Sequence, residues 1–401
     1  MNKTDKLLLD LLSCALVGKK CTADFSDVND ADLNLLYDEC KAQSVEPLIY
    51  ETIVSDFPDV KLSADWEDYY NGAVARNVAV CAYHEYVDTT LKKAGIGYCI
   101  LKGMSSAHYY PKPYLRCMGD VDFLVGEKDL ERAEELFKAD GYTVLSATSV
   151  CHITLEKDNS SIELHHEPAG IPLGKPGDMI REYLSDVLEK AKNSDDGLGV
   201  CVIPDRFHHG IIVFLHLLHH LICEGIGLRH LCDWAVFLNS YEEESFAEEF
   251  EEKLSEVGLW RSIQLISQTC VKYLGCEKRL WMGSFDESFC DELIEDIVSA
   301  GNFGRKDGVR SGAGYFISNR GSDGVGGNWF VQGFRTLNDR VYLYMPFIKK
   351  HKILLPVGWI AQAFRLLKRI LTGKRGKLYL VDSIKQSDER RKLYGKMNLY
   401  K

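Results

Sequence analysis

Apolar positions recur at helical spacing over two long stretches of the chain and at strand spacing over a shorter stretch between them. Residues 1–95 read as helical. After Lys6 the run LLLDLLSCALVG is interrupted by Asp10 and followed by Lys19–Lys20, the pattern of an amphipathic helix rather than a signal peptide. Leu33, Leu35, Leu36 and Tyr37 follow Asp30 and Asp32. Tyr70, Val74, Val78, Cys81, Tyr86 and Leu91 keep the helical period until Gly95 and Gly97 supply a stop. No run of about 18 uncharged apolar residues occurs, so no transmembrane helix is predicted.

The period changes at Tyr98. YCIL is a short apolar run, 104–110 reads as a short helix broken by Pro111 and Pro113, and 119–125, GDVDFLV, reads as a strand. A helix over 128–140 closes at Gly141. Segments 142–147 and 151–157 look extended, and Asp158–Asn159 turns the second of them into SIELHHE to make a hairpin. Helical periodicity returns over 205–300, most strongly at 206–223. The pattern predicts an α+β chain: a helical region 1–95, a small mixed sheet in 96–168, a helical domain 200–300, a glycine-rich connection 301–330 and a helical tail 331–401.

Composition narrows the class. The chain has 401 residues, 46% of them hydrophobic, enough to bury a core without covalent staples. Its 13 cysteines are odd in number, dispersed and without a CxxC pair, which fits a reducing cytoplasm. A net charge of −11 argues against long nucleic acid as a partner. That charge is unevenly spread. Residues 331–401 hold 17 Lys and Arg against 4 Asp and Glu, whereas the first 330 hold 31 against 55. Within the tail, Val357, Ile360, Phe364, Leu367 and Leu371 share one helical face, Arg365, Lys368 and Arg369 flank it, and Lys374–Arg375 follow. A basic amphipathic helix of this kind, with Trp359, suits peripheral contact of 357–375 with an anionic membrane. The alternative, which the acidic remainder of the chain favours, is docking of that face on the protein's own body.

The candidate chemistry lies in the sheet. Asp120 and Asp122 alternate on a predicted strand, so their carboxylates share a face about 7 Å apart and repel. A divalent cation cancels that cost. Glu163 sits between Ile162 and Leu164 with His165 on its own face. Three acids on adjacent strands suit two metals and in-line displacement at phosphorus; the alternative is a solvated strand edge. Lys102–Gly103–Met104–Ser105 spans a strand-to-helix transition, where a glycine allows close approach, a helix start offers N–H groups, and Ser105 and Lys102 add a hydroxyl and a charge. The alternative there is a glycine that only makes the turn. Arg116 suits either triphosphate charge or pairing with the acids. His209, His216 and His220 share a helical face that Glu224 continues; it reads as a metal pair, a buried polar seam or the lining of an acceptor pocket. Arg229 and Asp233, at i and i+4, read as an ion pair.

Together these residues resemble the polymerase-beta-like nucleotidyltransferase superfamily, with Gly103 and Ser105, then Asp120 and Asp122, then Glu163 in its order. More closely, LKG, YPKPYLR, GDVDFLV, IELHHE and GLRHLCDW look like a family of uncharacterised bacterial nucleotidyltransferases. The resemblance implies a nucleotidyltransferase-type sheet and transfer of an NMP group from an NTP to a hydroxyl of a sugar, small molecule or protein. It also implies two Mg2+ or Mn2+ ions on Asp120, Asp122 and Glu163. Nucleotide phosphates would lie at Lys102, Gly103, Ser105 and Arg116, and the acceptor beside His165, His216 and His220. Met104 splits the superfamily's Gly-Ser pair, which shifts phosphate binding towards Lys102 and Arg116. The alternative is a catalytically weak, nucleotide-binding regulatory or antitoxin-like module on the same fold.

Overall fold

The computed structural model describes residues 1–146, 151–158, 160–172, 174–195, 199–242, 244–307, 337–338, 341–342, 345–349, 351–371 and 390–400. It is a mixed α+β structure in which helices surround one small sheet.

Helix α1 (Lys3–Val17) begins at a reciprocal cap: the Asn2 side chain accepts from the Asp5 amide, and Asp5 accepts from the Asn2 amide. The same device, Asn29 with Asp32, starts α2 (Asp30–Gln43). Helix α3 (Glu46–Asp56) follows. The long α4 (Ala64–Lys93) buries Trp66, Ala73, Asn77, Cys81, His84, Val87 and Leu91, a single stripe three, four or seven residues apart.

The sheet consists of β1 (Tyr98–Ile100), β2 (Val121–Val125), β3 (Thr143–Ser146), β4 (His152–Lys157) and β5 (Ser160–His165), in the order β1-β2-β5-β4-β3. Only β2 and β5 pair in parallel; the other neighbours are antiparallel. Short α5 (Met104–Ala107) separates β1 from β2, and α6 (Leu130–Ala139) separates β2 from β3. Strand β2 is buried on both sides. Val121, Phe123 and Val125 join the core that includes Val87 and Leu91 of α4 and Phe137 of α6, whereas Leu124 belongs to the core of the helical body. Period-two alternation therefore turns Asp122 towards the helices.

After α7 (Lys175–Tyr183) and α8 (Val187–Lys190), a two-stranded ribbon, β6 (Lys192–Asp195) and β7 (Val200–Ile203), packs beside β1 and α4. Helices α9 (Arg206–Cys223), α10 (Leu228–Asn239), α11 (Ser245–Glu256), α12 (Trp260–Leu274) and α13 (Glu287–Ala300) complete the body. Helix α1 packs on α3, α10 and α12, so the helices before and after the sheet share one apolar core. Gly210 makes α9 fit: a Cβ there would lie 2.6 Å from the Phe250 ring and 2.7 Å from that of Phe237. All 13 cysteines are free thiols.

The tail contains α14 (Leu355–Leu371). The amphipathic helix is present, but docking on the acidic body is not what its described face shows. Val357, Ile360 and Phe364 are 61%, 59% and 66% exposed. Trp359 instead donates to Asn338, 2.7 Å away. Lys374–Arg375 and most of the glycine-rich connection fall outside the described residues. No helix among the described residues is long and apolar enough to cross a membrane.

Candidate active site

Strand register assembles the acids. In the parallel pair, Asp122 stands opposite Glu163 and Leu124 opposite His165. Glu163 and His165 alternate on one face of β5, so two carboxylates and an imidazole meet. His165 Nε2 is 3.2 Å from Asp122 Oδ1 and 3.3 Å from Glu163 Oε2. Lys102 Nζ reaches the same Asp122 oxygen at 2.8 Å. Burial alone would raise the Asp122 pKa, but Lys102 and His165 outweigh it and hold the carboxyl well below its usual range. Burial would likewise lower His165; its hydrogen bonds to Asp122, Cys151 and Glu163 reverse this and raise it to about 10.

Asp120 lies one residue before β2, which is shorter than the predicted strand 119–125. It keeps contact with solvent at the mouth of the cleft. Desolvation by the surrounding protein nonetheless raises its pKa, and the negative charges of Asp122 and Glu163 add to the rise. That repulsion, which Lys102 and Arg229 offset only in part, together with ligand oxygens of Asp122 and Glu163 lying within 4.8 Å of one another, fits a hard divalent cation.

Asp120 and Asp122 border a cavity of about 570 Å³ lined by the start of β2, helices α4, α9 and α10, and residues 302–305; Glu163 stands behind Asp122 on β5. Asn302 is fastened at both sides: its amide donates to Ser44 at 2.8 Å, and Gly227 lies so close that a Cβ there would meet it at 2.9 Å. Lys306 continues the attachment with a 2.8 Å ion pair to Glu39 of α2.

Each predicted phosphate ligand has a definite place. Lys102 lines the cavity and bridges to Asp122. Gly103 lines it too, in the left-handed region (φ 63°), with the His84 ring 3.3 Å from where a Cβ would be. Ser105 is not on the cavity. It is fully buried, with Oγ 2.9 Å from His209 Nδ1. Arg116 lines the cavity, but its guanidinium is committed to Asp233 through two 2.7 Å hydrogen bonds, and Tyr110 donates to the same carboxylate at 2.7 Å. Asn77 of α4 holds the same loop, donating to the carbonyls of Tyr114 and Arg116 and accepting from the Met118 amide.

The expected Arg229–Asp233 pair is therefore replaced by Arg116–Asp233. Arg229 instead donates Nη1 to the Cys117 carbonyl at 3.2 Å, lies 5.7 Å from the Phe303 ring centroid, and has no partner for its buried Nε among the described residues. Arg76 and Arg305 line the same cavity, and neither has an ion pair among the described residues. The sequence singles out none of the three as a candidate anion ligand. Arg229 reads there as the ion-pair partner of Asp233 and as part of GLRHLCDW; Arg76 and Arg305 carry no signal.

The histidines of α9 separate. His209 supports Ser105, and His216 lines the cavity, stacked on His230 at 5.4 Å between centroids. Burial pushes both His216 and His230 well below the usual imidazole range. His220 is turned to Glu224 at 3.1 Å. Among the described residues no set of three metal-ligating groups converges on α9; such sets occur only around His165.

No curated protein matches this chain. The family described as uncharacterised nucleotidyltransferase matches residues 29–275, a span from the start of α2 to the end of α12 that holds the sheet, the three acids and Arg229. The chain belongs to that family of nucleotidyltransferases.

Proposed function

We propose that the cleft moves an NMP group from an NTP to a hydroxyl of an acceptor, with Mg2+ or Mn2+, two ions, as cofactor. Family membership supplies nucleotidyl transfer in general. The observation that carries the finer reading is the juxtaposition of Asp120 and Asp122, backed by Glu163 across the strand pair, with a cavity whose guanidinium groups at Arg76, Arg229 and Arg305 have no ion pair among the described residues. Asp120, Asp122 and Glu163 would hold the ions, which supply charge neutralisation at the α-phosphate and a more acidic acceptor hydroxyl.

The protein's own groups do the rest. Arg229, Arg76 and Arg305 hold the polyphosphate through charge-assisted hydrogen bonds. Glu163 takes the proton as the acceptor oxygen bonds to the α-phosphorus and the bond to the β-phosphate oxygen breaks, releasing pyrophosphate. His165 steadies Asp122 and Glu163, and neutral His216 faces the cavity as a hydrogen-bonding group for the acceptor.

A second reading, a nucleotide-binding module with weak or no turnover, draws support from Lys102 and His165 already neutralising Asp122 and from Ser105 being committed to His209. Purified protein incubated with labelled NTPs and Mg2+ or Mn2+, alone and with cell extract, separates the two. Labelled acceptor with pyrophosphate release supports transfer; NTP binding with neither product supports the module. Peripheral contact of α14 with an anionic membrane is a separate proposal, supported by its exposed apolar stripe and the basic balance of residues 331–401.

A further inference from the structure

The strand face that carries Glu163 and His165 continues onto β4, where Cys151 and His152, neither of which nucleotidyl transfer uses, gather beside His165. His152 is the cross-strand partner of His165, with ring centroids 4.7 Å apart. Cys151, immediately before β4, is held in place by its carbonyl, which accepts from the His166 amide at 3.1 Å. Its Sγ lies 3.6 Å from His152 Nδ1, and its thiol also hydrogen-bonds the His165 ring. The thiol sulfur and one nitrogen of each imidazole all fall within 4.8 Å of one another.

We propose that Cys151, His152 and His165 form a binding site for a zinc-class transition-metal ion, beside the carboxylate site and chemically distinct from it. A thiolate and two imidazoles suit a borderline-soft ion and do not suit magnesium. Bond lengths of about 2.3 Å to sulfur and 2.0–2.1 Å to nitrogen at tetrahedral angles put the ligand atoms about 3.3–3.6 Å apart, so the Cys151–His152 separation is already that of a tetrahedral edge.

The outward nitrogens support the same assignment. His152 Nε2 is 3.7 Å from Glu163 Oε1, and His165 Nε2 is on Asp122 and Glu163. Ligation through Nδ1 leaves an Nε2–H on each ring aimed at a carboxylate, the arrangement by which ligating histidines are oriented. His165 gives up only a 3.3 Å approach of Nδ1 to the Glu167 carbonyl. The ion would fasten the β4–β5 hairpin and fix the imidazole that sits between two catalytic acids. Three protein ligands leave a fourth position for water.

The test uses the full chain without a polyhistidine tag, dialysed against zinc and then against millimolar magnesium. Elemental analysis is expected to find about one zinc per chain. Cobalt substitution is expected to give a thiolate-to-cobalt charge-transfer band with the visible absorption of a tetrahedral site. Cys151→Ser should remove the charge-transfer band, and Cys151→Ser with His152→Ala should lower zinc retention to background while circular dichroism and thermal midpoint report an intact fold. Asp120→Asn should leave zinc content and the cobalt spectrum unchanged. Substoichiometric zinc in the unaltered chain, or zinc content that falls in Asp120→Asn and persists in the double variant, overturns the proposal. None of these readouts depends on nucleotide transfer.

Discussion

Arg116 and Asp233 are joined by two 2.7 Å hydrogen bonds, Nε to Oδ1 and Nη2 to Oδ2, in the interior between the loop that precedes β2 and helix α10. The pair spans 117 residues of sequence and, with Asn77, sets where the chain enters β2 and so where Asp120 stands. Removing one partner strands the other charge out of water. Asp233→Asn is therefore expected to cost about 3–5 kcal/mol of stability. Urea unfolding followed by circular dichroism measures it, and a loss below about 1 kcal/mol would show that the pair is not holding the loop.

Arg229 was freed by that pairing. If it binds polyphosphate, Arg229→Met should weaken NTP binding about 10- to 100-fold, the worth of a hydrogen bond to a charged group. Calorimetric titration with a non-hydrolysable NTP and magnesium reads this directly. Arg76→Met and Arg305→Met should each weaken binding in the same direction. Affinity unchanged in all three would place the triphosphate elsewhere.

Glu163 is the acid best suited to a clean substitution, because Lys102 pairs with Asp122 rather than with it. Glu163→Gln keeps its shape and removes both its charge and its basicity. Transfer is expected to fall about 10²–10⁴-fold, with the fold intact by thermal melting. Chelation of divalent cations with EDTA should abolish transfer in the unaltered protein, and Mg2+ or Mn2+ should restore it.

Glu46, at the start of α3, is fully buried, and neither carboxylate oxygen has a hydrogen-bond partner among the described residues. Burial raises its pKa from 4.5 to about 8, with Lys41 opposing. A folded-state pKa above the unfolded one means the contribution to stability is complete below about pH 4.5 and is lost as pH rises through about 8. Stability should therefore decline across that window by an amount on the order of 5 kcal/mol. Glu46→Gln should flatten the decline. Thermal midpoints measured from pH 5 to 9 for both proteins check it, and parallel profiles would remove Glu46 as the cause.

The exposed stripe of α14 gives a further expectation. The full-length chain should co-sediment with vesicles rich in anionic lipid and be released by high salt. Ile360→Glu with Phe364→Glu should abolish co-sedimentation. Equal recovery with neutral vesicles, or none with anionic ones, would leave the stripe to another partner.

Local periodicity made the helices legible: α9 occupies the strongest predicted segment, and α4 the stripe ending before Gly95. The β4–β5 hairpin was legible because Ile162 and Leu164 alternate with Glu163 and His165. The β6–β7 ribbon was not foreseen, because Lys192–Asp195 reads KNSD and has no apolar alternation to mark a strand. The acids were legible because strand parity fixes which side chains share a face. The cations were not. A local i, i+4 rule paired Arg229 with Asp233, but a buried carboxylate takes the guanidinium that tertiary packing delivers, and that came from Arg116. Ser105 sits two residues from a cavity-lining glycine, yet its four-residue helix points the hydroxyl inward, to His209, 104 positions along the chain.

The wall formed by Asn302, Phe303 and Arg305 lies beyond residue 275, where the match to the family ends. The stretch matched by the family and the stretch that lines the cavity are therefore different lengths. A protein trimmed to residues 29–275 would keep its acids and lose the side of the chamber that carries Arg305, along with the α1 packing beneath α10 and α12. The shape and charge of that side of the chamber are thus set by residues outside the matched span, and those of the opposite side, with Asp120 and Asp122, by residues inside it.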